Sequence, residues 1–221
     1  MKKLLVLVSA ISLATLIPIS ANAQFGGLLG GSKSDSKSSA SAGDVDGFLK
    51  TAEEADGLIR KSADTLFKAV ATKGELDAHA DKVKAANQVA DTKEKEAALK
   101  KASDDQQAQL AKVDFAAKSE DAKKTMDAKQ KAQVGAAIYN FMLGMLKDKE
   151  LLEKGQGIIS SISGNPMAMT KLSSVKDVMS SVSGQMGNIS TIASGIQKLS
   201  SVVKLEALPT KTSDQPKPVA D

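Results

Sequence analysis

The residues able to do acid–base or nucleophilic chemistry are few and scattered. His79 is the only histidine, and it sits in the stretch Asp77-Ala78-His79-Ala80-Asp81. A serine nucleophile needs a base, usually histidine, that a third group holds in place. His79 instead reads as a solvated helix-surface residue flanked by carboxylates. A paired-carboxylate hydrolase needs two acids converging in a cleft. The acids here fall on helical faces, most of them beside lysines. The chain has no cysteine, which excludes thiol catalysis, disulfides, cysteine-ligated zinc or iron–sulfur sites and a lipidated N-terminal cysteine. The expectation is a non-enzyme with no catalytic residues, no cofactor and no established metal site.

Methionine offers one softer chemistry. Met142, Met145, Met167, Met169, Met179 and Met186 gather around a Gly164-Asn165-Pro166 turn. Thioethers suit copper(I) or silver, and Met167 and Met169, nearest the turn, are the candidate ligands. Against this, methionine at apolar spacing is ordinary core filler. The Gly26–Ser34 run (GGLLGGSKS) lacks the spacing and the preceding strand of a phosphate loop. Asn188-Ile189-Ser190 matches a glycosylation triplet but lies inside a helical pattern.

The charge balance argues against nucleic acid. Lysines interleave with acids, Arg60 is the single arginine, and Tyr139 is the single tyrosine with no tryptophan. Basic clusters and stacking aromatics are what such binding needs.

The N-terminus reads as an export signal. Lys2 and Lys3 precede the apolar run Leu4–Ile19, and Ala21-Asn22-Ala23 places small residues where a signal peptidase reads them. Cleavage is expected after Ala23, giving a periplasmic or secreted protein. Loss of Lys2 and Lys3 takes the formal net charge from +4 to +2. Residues 24–43 form a flexible Gly/Ser-rich leader. Residues 209–221, with three prolines and few apolar residues, read as a disordered tail.

Between these ends, residues 44–208 read as an all-α bundle of long helices, rich in good helix formers. The first helix is expected to start at an Asp44 N-cap and to stop at Thr72-Lys73-Gly74, with Gly74 as a cap. A second, alanine-striped helix begins near Glu75. Ser103-x-x-Gln106 and Ser119-Glu120-Asp121 each look like a helix start. A break near 103, a break near 118 and a continuous helix all fit. A strongly apolar helix then runs to Ser163, and the Gly-Asn-Pro turn ends it.

The last helix is expected to run unbroken from Pro166 to Lys204, about 58 Å at the usual rise. Leu172, Val175, Met179, Val182, Met186, Ile189, Ile196 and Val203 form a coiled-coil-type interaction seam along it. Ser180/Gly184, Ser183/Gly187 and Thr191/Gly195 are small-residue pairs that permit close helix approach. Charged residues concentrate between 44 and 131, so the C-terminal half is expected at the centre of the bundle or of an oligomer, with the charged half outside it or projecting from it as a hairpin.

The fold expected is therefore all-α: an elongated antiparallel bundle of coiled-coil hairpins with disordered ends. The function expected is protein contact, as a scaffold or a holdase-like chaperone, with a protein partner or a homo-oligomer. The alternative is membrane association or pore formation through 134–163, with Ile138, Phe141, Met142, Met145 and Leu146 as candidate membrane contacts. Val134–Leu146 is too short to span a bilayer alone.

Overall fold

The computed structural model describes residues 40–162, 165–203, 205 and 207–219. The expected signal peptide and nearly all of the expected leader lie outside the described residues. Every regular element among the described residues is helical, as the composition and periodicity imply: α1 (Ala42–Val70), α2 (Lys73–Asn87), α3 (Thr92–Leu110), α4 (Phe115–Thr125), α5 (Ala128–Ser161), α6 (Pro166–Met169) and α7 (Leu172–Val203).

Side-chain caps set the boundaries. Ser41, not Asp44, is the N-cap of α1. The Asp44 N–H donates to Ser41 Oγ at 3.1 Å, and the Ser41 N–H donates to the Asp44 carboxylate at 2.8 Å. Asp44 is thus the reciprocal acid of a capping box. These hydrogen bonds hold its carboxyl below the usual range. Thr72 and Glu75 repeat the device at α2. Gly74 therefore lies inside α2 rather than capping α1, which ends at Val70 with Ala71 as its C-cap. Asp91, Asp114 and Asp127 cap α3, α4 and α5.

The breaks in the middle of the chain fall at these aspartates, at neither 103 nor 118. Ser103 and Gln106 lie within α3 and Ser119–Asp121 within α4. At the Gly-Asn-Pro turn, Asn165 Oδ1 accepts from the N–H groups of Met167 and Ala168, with Pro166 opening the turn of helix. That helix is only α6. Thr170 and Lys171 separate it from α7, so the expected 166–204 helix is interrupted one turn in.

Contacts between α1 and α5 occur in reverse order along the two chains. The Ala40 N–H donates to Ser161 O, Lys147 bridges to Glu54 at 3.2 Å, and Gly144 meets Ile59. The two helices therefore run in opposite directions. The same holds for α5 and α7, where Gly155 meets Met179 and Gly135 meets Val203. One core surrounds Ile59, Leu66, Phe67, Phe141, Ile192 and Ile196, joined by Leu110 of α3 and Phe115 of α4. A smaller one surrounds Phe48, Leu151, Ile162 and Val175.

Glycine sets how closely these helices approach. A Cβ on Gly155 would lie 2.1 Å from Met179 Sδ, and one on Gly195 would lie 2.3 Å from Phe115 Cδ2. Of the three small-residue pairs read from sequence, only that ending at Gly195 sits at a helix contact. Gly184 and Gly187 face open space.

Within the segment expected as a disordered tail, Thr210, Lys211, Asp214 and Lys217 make hydrogen bonds. Asn140 Nδ2 donates to Lys217 O at 2.8 Å, and the Lys217 N–H donates to Asn140 Oδ1 at 2.7 Å. Lys217 Nζ stands 4.7 Å from the centre of the Tyr139 ring, a cation–π distance. Pro209 is buried. A side-chain amide that satisfies both backbone polar groups of one residue can order an extended segment poor in apolar residues, and composition does not show this.

Candidate functional site

The seam read along α7 is spent within the chain. Val175, Ile189 and Ile196 are fully buried, Val182 nearly so, and Leu172, Met179, Met186 and Val203 are half-buried. The candidate membrane residues are internal as well. Ile138 and Phe141 are fully buried, while Met142, Met145 and Leu146 are half-buried, the two methionines packing on the larger core. No described helix is long and apolar enough to cross a membrane. Met167 and Met169 are the exposed large apolar side chains among the described residues, at 74% and 49%. Met179 packs against Gly155 instead. Among the described residues no group of three or more histidine, cysteine, aspartate or glutamate side chains is placed to hold a metal ion.

His79 differs from its surface reading. It is half-buried, its Nε2 lies 3.2 Å from Gln106 Nε2, and its ring meets Phe67 edge-on at 5.6 Å. Gln106 also donates to Asp64 Oδ1 at 3.3 Å. Burial pushes the imidazole below its usual value, while nearby Asp64 pulls the other way. The cluster ties α1, α2 and α3 together, with Lys82 and Asp105 bridging α2 to α3 at 2.7 Å.

The feature that sequence reading missed is on α5. Val134, Phe141, Asp148, Gly155 and Ile162 recur every seven residues, and all five are buried. Four of them fit a helix seam. The fifth is an aspartate, only 3% exposed. Burial, and behind it the like charge of Asp56, raises its carboxyl to about 7. A charged group on a core seam is expensive unless something compensates it. The signal was present as a carboxylate in phase with the apolar repeat. It was hidden because its sequence neighbours, Lys147, Lys149 and Glu150, give the local pattern of a solvated face.

Asp148 opens on a cleft of about 420 Å³ between α1, α5 and α7, with Leu49, Ala52, Glu53, Asp56 and Arg60 on one side and Ser174, Val178, Ser181, Val182 and Gln185 on the other. Lys100 of α3 reaches its edge. A second cleft of about 430 Å³ adjoins it through Lys100, Ser181 and Gln185, and adds Asp104, Gln107, Asp177, Ser180, Gly184 and Asn188. The shared wall is hydrogen-bonded: Gln185 Nε2 donates to Asp104 Oδ1 at 3.3 Å and to Ser181 Oγ at 3.4 Å. Gln107 is 1% exposed and its Nε2 has no hydrogen-bond partner. A buried amide donor without a partner, Gln107 Nε2, thus borders one cleft, and the largely buried Asp148 carboxyl borders the other. Both volumes are within the range of small-ligand sites.

Comparison of the chain with protein families, curated proteins and solved structures gave no match.

Proposed function

We propose that this chain is an exported, non-enzymatic helical protein that acts by contact, and that the contact is made at the paired polar clefts rather than along the α7 seam. In this reading the signal peptide is removed after Ala23, and the mature protein is an elongated antiparallel bundle working in the periplasm or outside the cell. The observation that carries the reading is the disposition of apolar and polar surface. The long apolar stripes are used up inside the chain, whereas a core-register aspartate and an unpartnered glutamine border an open, polar recess.

This disposition favours a scaffold or binding role over a holdase. A holdase offers clients a broad apolar surface, and here the exposed large apolar side chains among the described residues are two methionines on α6. Nothing in the packing favours membrane association through 134–163, because Ile138 and Phe141 are fully buried.

A photo-crosslinking residue placed at Asp177, on the cleft wall, tests the reading in cells that make the protein. The same residue at Lys129, exposed at the start of α5, is the control. The reading expects one discrete adduct from position 177 and none from 129. No adduct, or equal labelling from both positions, contradicts it.

A further inference from the structure

Asp148 makes no hydrogen bond and no ion pair with any described residue, yet it stands where the bundle would otherwise place an apolar side chain. The cations near it are engaged elsewhere. Arg60 Nε donates to Asp56 at 2.6 Å, and Lys100 Nζ pairs with Asp104 at 3.3 Å. The acids on the cleft wall, Glu53, Asp56 and Asp148, outnumber these two bases, so an anionic ligand is disfavoured. A metal ion is disfavoured too, because no described cluster of carboxylates is placed to hold one.

What the recess lacks is a compact cation bearing several hydrogen-bond donors. A primary ammonium group has three. The Asp148 carboxylate can accept one of them, and the hydroxyls of Ser174 and Ser181 line the same space. Gln185 spends its Nε2 on Asp104 and Ser181, which leaves its Oε1 as a further acceptor. Leu49, Ala52, Val178 and Val182 supply apolar wall for an aliphatic stem. Opposite charges attract more strongly beside a buried carboxylate than in open water, and a bound ammonium would neutralise Asp148.

We infer that the cleft between α1, α5 and α7 is a site for an aliphatic primary ammonium, with the Asp148 carboxylate as its counter-ion and the Leu49/Ala52 and Val178/Val182 walls around its stem. This rests on the contact reading of the same cleft and names the chemistry of what is contacted. The ammonium is that of a free alkylamine or of a lysine side chain on a partner.

Calorimetric titration of the full chain at pH 7.5 tests it, with n-butylammonium for the free amine and Nα-acetyl-lysine methylamide for the side chain. Saturable binding of either probe is expected. Butyrate and butanol should not bind. Asp148→Asn should weaken binding at least tenfold, while Asp81→Asn, exposed on α2 and outside both clefts, should leave it unchanged. No binding of either probe at 10 mM overturns the inference, as does undiminished binding to Asp148→Asn. If Asp148→Asn fails to fold, the carboxyl carbon resonance of Asp148 in the unsubstituted protein decides: it should move with butylammonium and not with butyrate, and an unmoved resonance overturns the site. Adducts at position 177 without ammonium binding would remove this inference and leave the contact reading standing.

Discussion

The helices α1, α5 and α7 and the helices α2, α3 and α4 are held by different physics. The first three are long and bury large side chains at regular spacing, among them Phe48, Ile59, Leu66 and Phe67 on α1 and Ile189, Ile192, Ile196 and Leu199 on α7. In α2 the one fully buried residue is Ala86, and α3 buries Ala102, Gln106, Gln107 and Leu110. The second group is held by single anchors, chiefly Leu110 and Phe115, and by polar ties such as Gln106 to Asp64. Repeated apolar burial makes a region stable and its register unambiguous. Single anchors and polar ties leave a surface open: one cleft lies where α3 faces α7, and the Asp148 cleft adjoins it between α1, α5 and α7, with Lys100 of α3 on its wall.

Five substitutions sharpen or break that contrast. Phe141→Ala empties the centre of the long-helix core and should cost about 3–5 kcal/mol, read as a fall in the chemical denaturation midpoint. A loss below about 1 kcal/mol would mean that the core is not where the packing puts it.

Gly195→Val drives a side chain into the Phe115 ring and should cost about 3 kcal/mol. Because Phe115 opens α4, hydrogen exchange should show α4 loosening before α1 or α5.

Asp148→Asn has the opposite sign. The folded carboxyl holds its proton up to about 7, whereas an unfolded aspartate releases it near 4. The unsubstituted protein therefore loses stability as pH rises from about 4 to 7, and no further loss from this group occurs above 7. The asparagine variant lacks that loss, so it should be more stable than its parent at pH 8, by up to about 4 kcal/mol, and should show a flatter profile between pH 4 and 7. A variant less stable than its parent at pH 8 would contradict a buried, uncompensated carboxyl.

Gly184→Ala and Gly187→Ala should each stabilise by about 0.5–1 kcal/mol, because both glycines are inside a helix and open to space. Their contrast with Gly195 in thermal melts separates the small-residue spacing that makes a helix contact from the spacing that does not.

The long helices were legible in sequence because apolar periodicity reports burial directly. The helix start at Asn165-Pro166 was legible because cap chemistry is local. The aspartate caps at 91, 114 and 127 were not, since aspartates are plentiful in that half and nothing in sequence says which one ends a helix. Ser103 and Gln106 imitated a capping box, but Gln106 is buried against His79 and Asp64 for a tertiary reason. The tail path depends on Asn140, 77 residues from Lys217, and no local pattern carries such a pairing. Asp148 was the readable exception: its seven-residue phase with Val134, Phe141, Gly155 and Ile162 is visible once the apolar residues are aligned by position instead of by neighbourhood.

The measurement that tests the central claim most directly is an NMR titration of the Asp148 side-chain carboxyl carbon. The claim is that this carboxyl is held in the core register, uncompensated, at the head of a polar recess. It predicts a midpoint of about 7, well above the ordinary aspartate value of about 4. A midpoint near 4 would place the carboxyl in open water or against a cation, and would contradict the cleft as a site built around it.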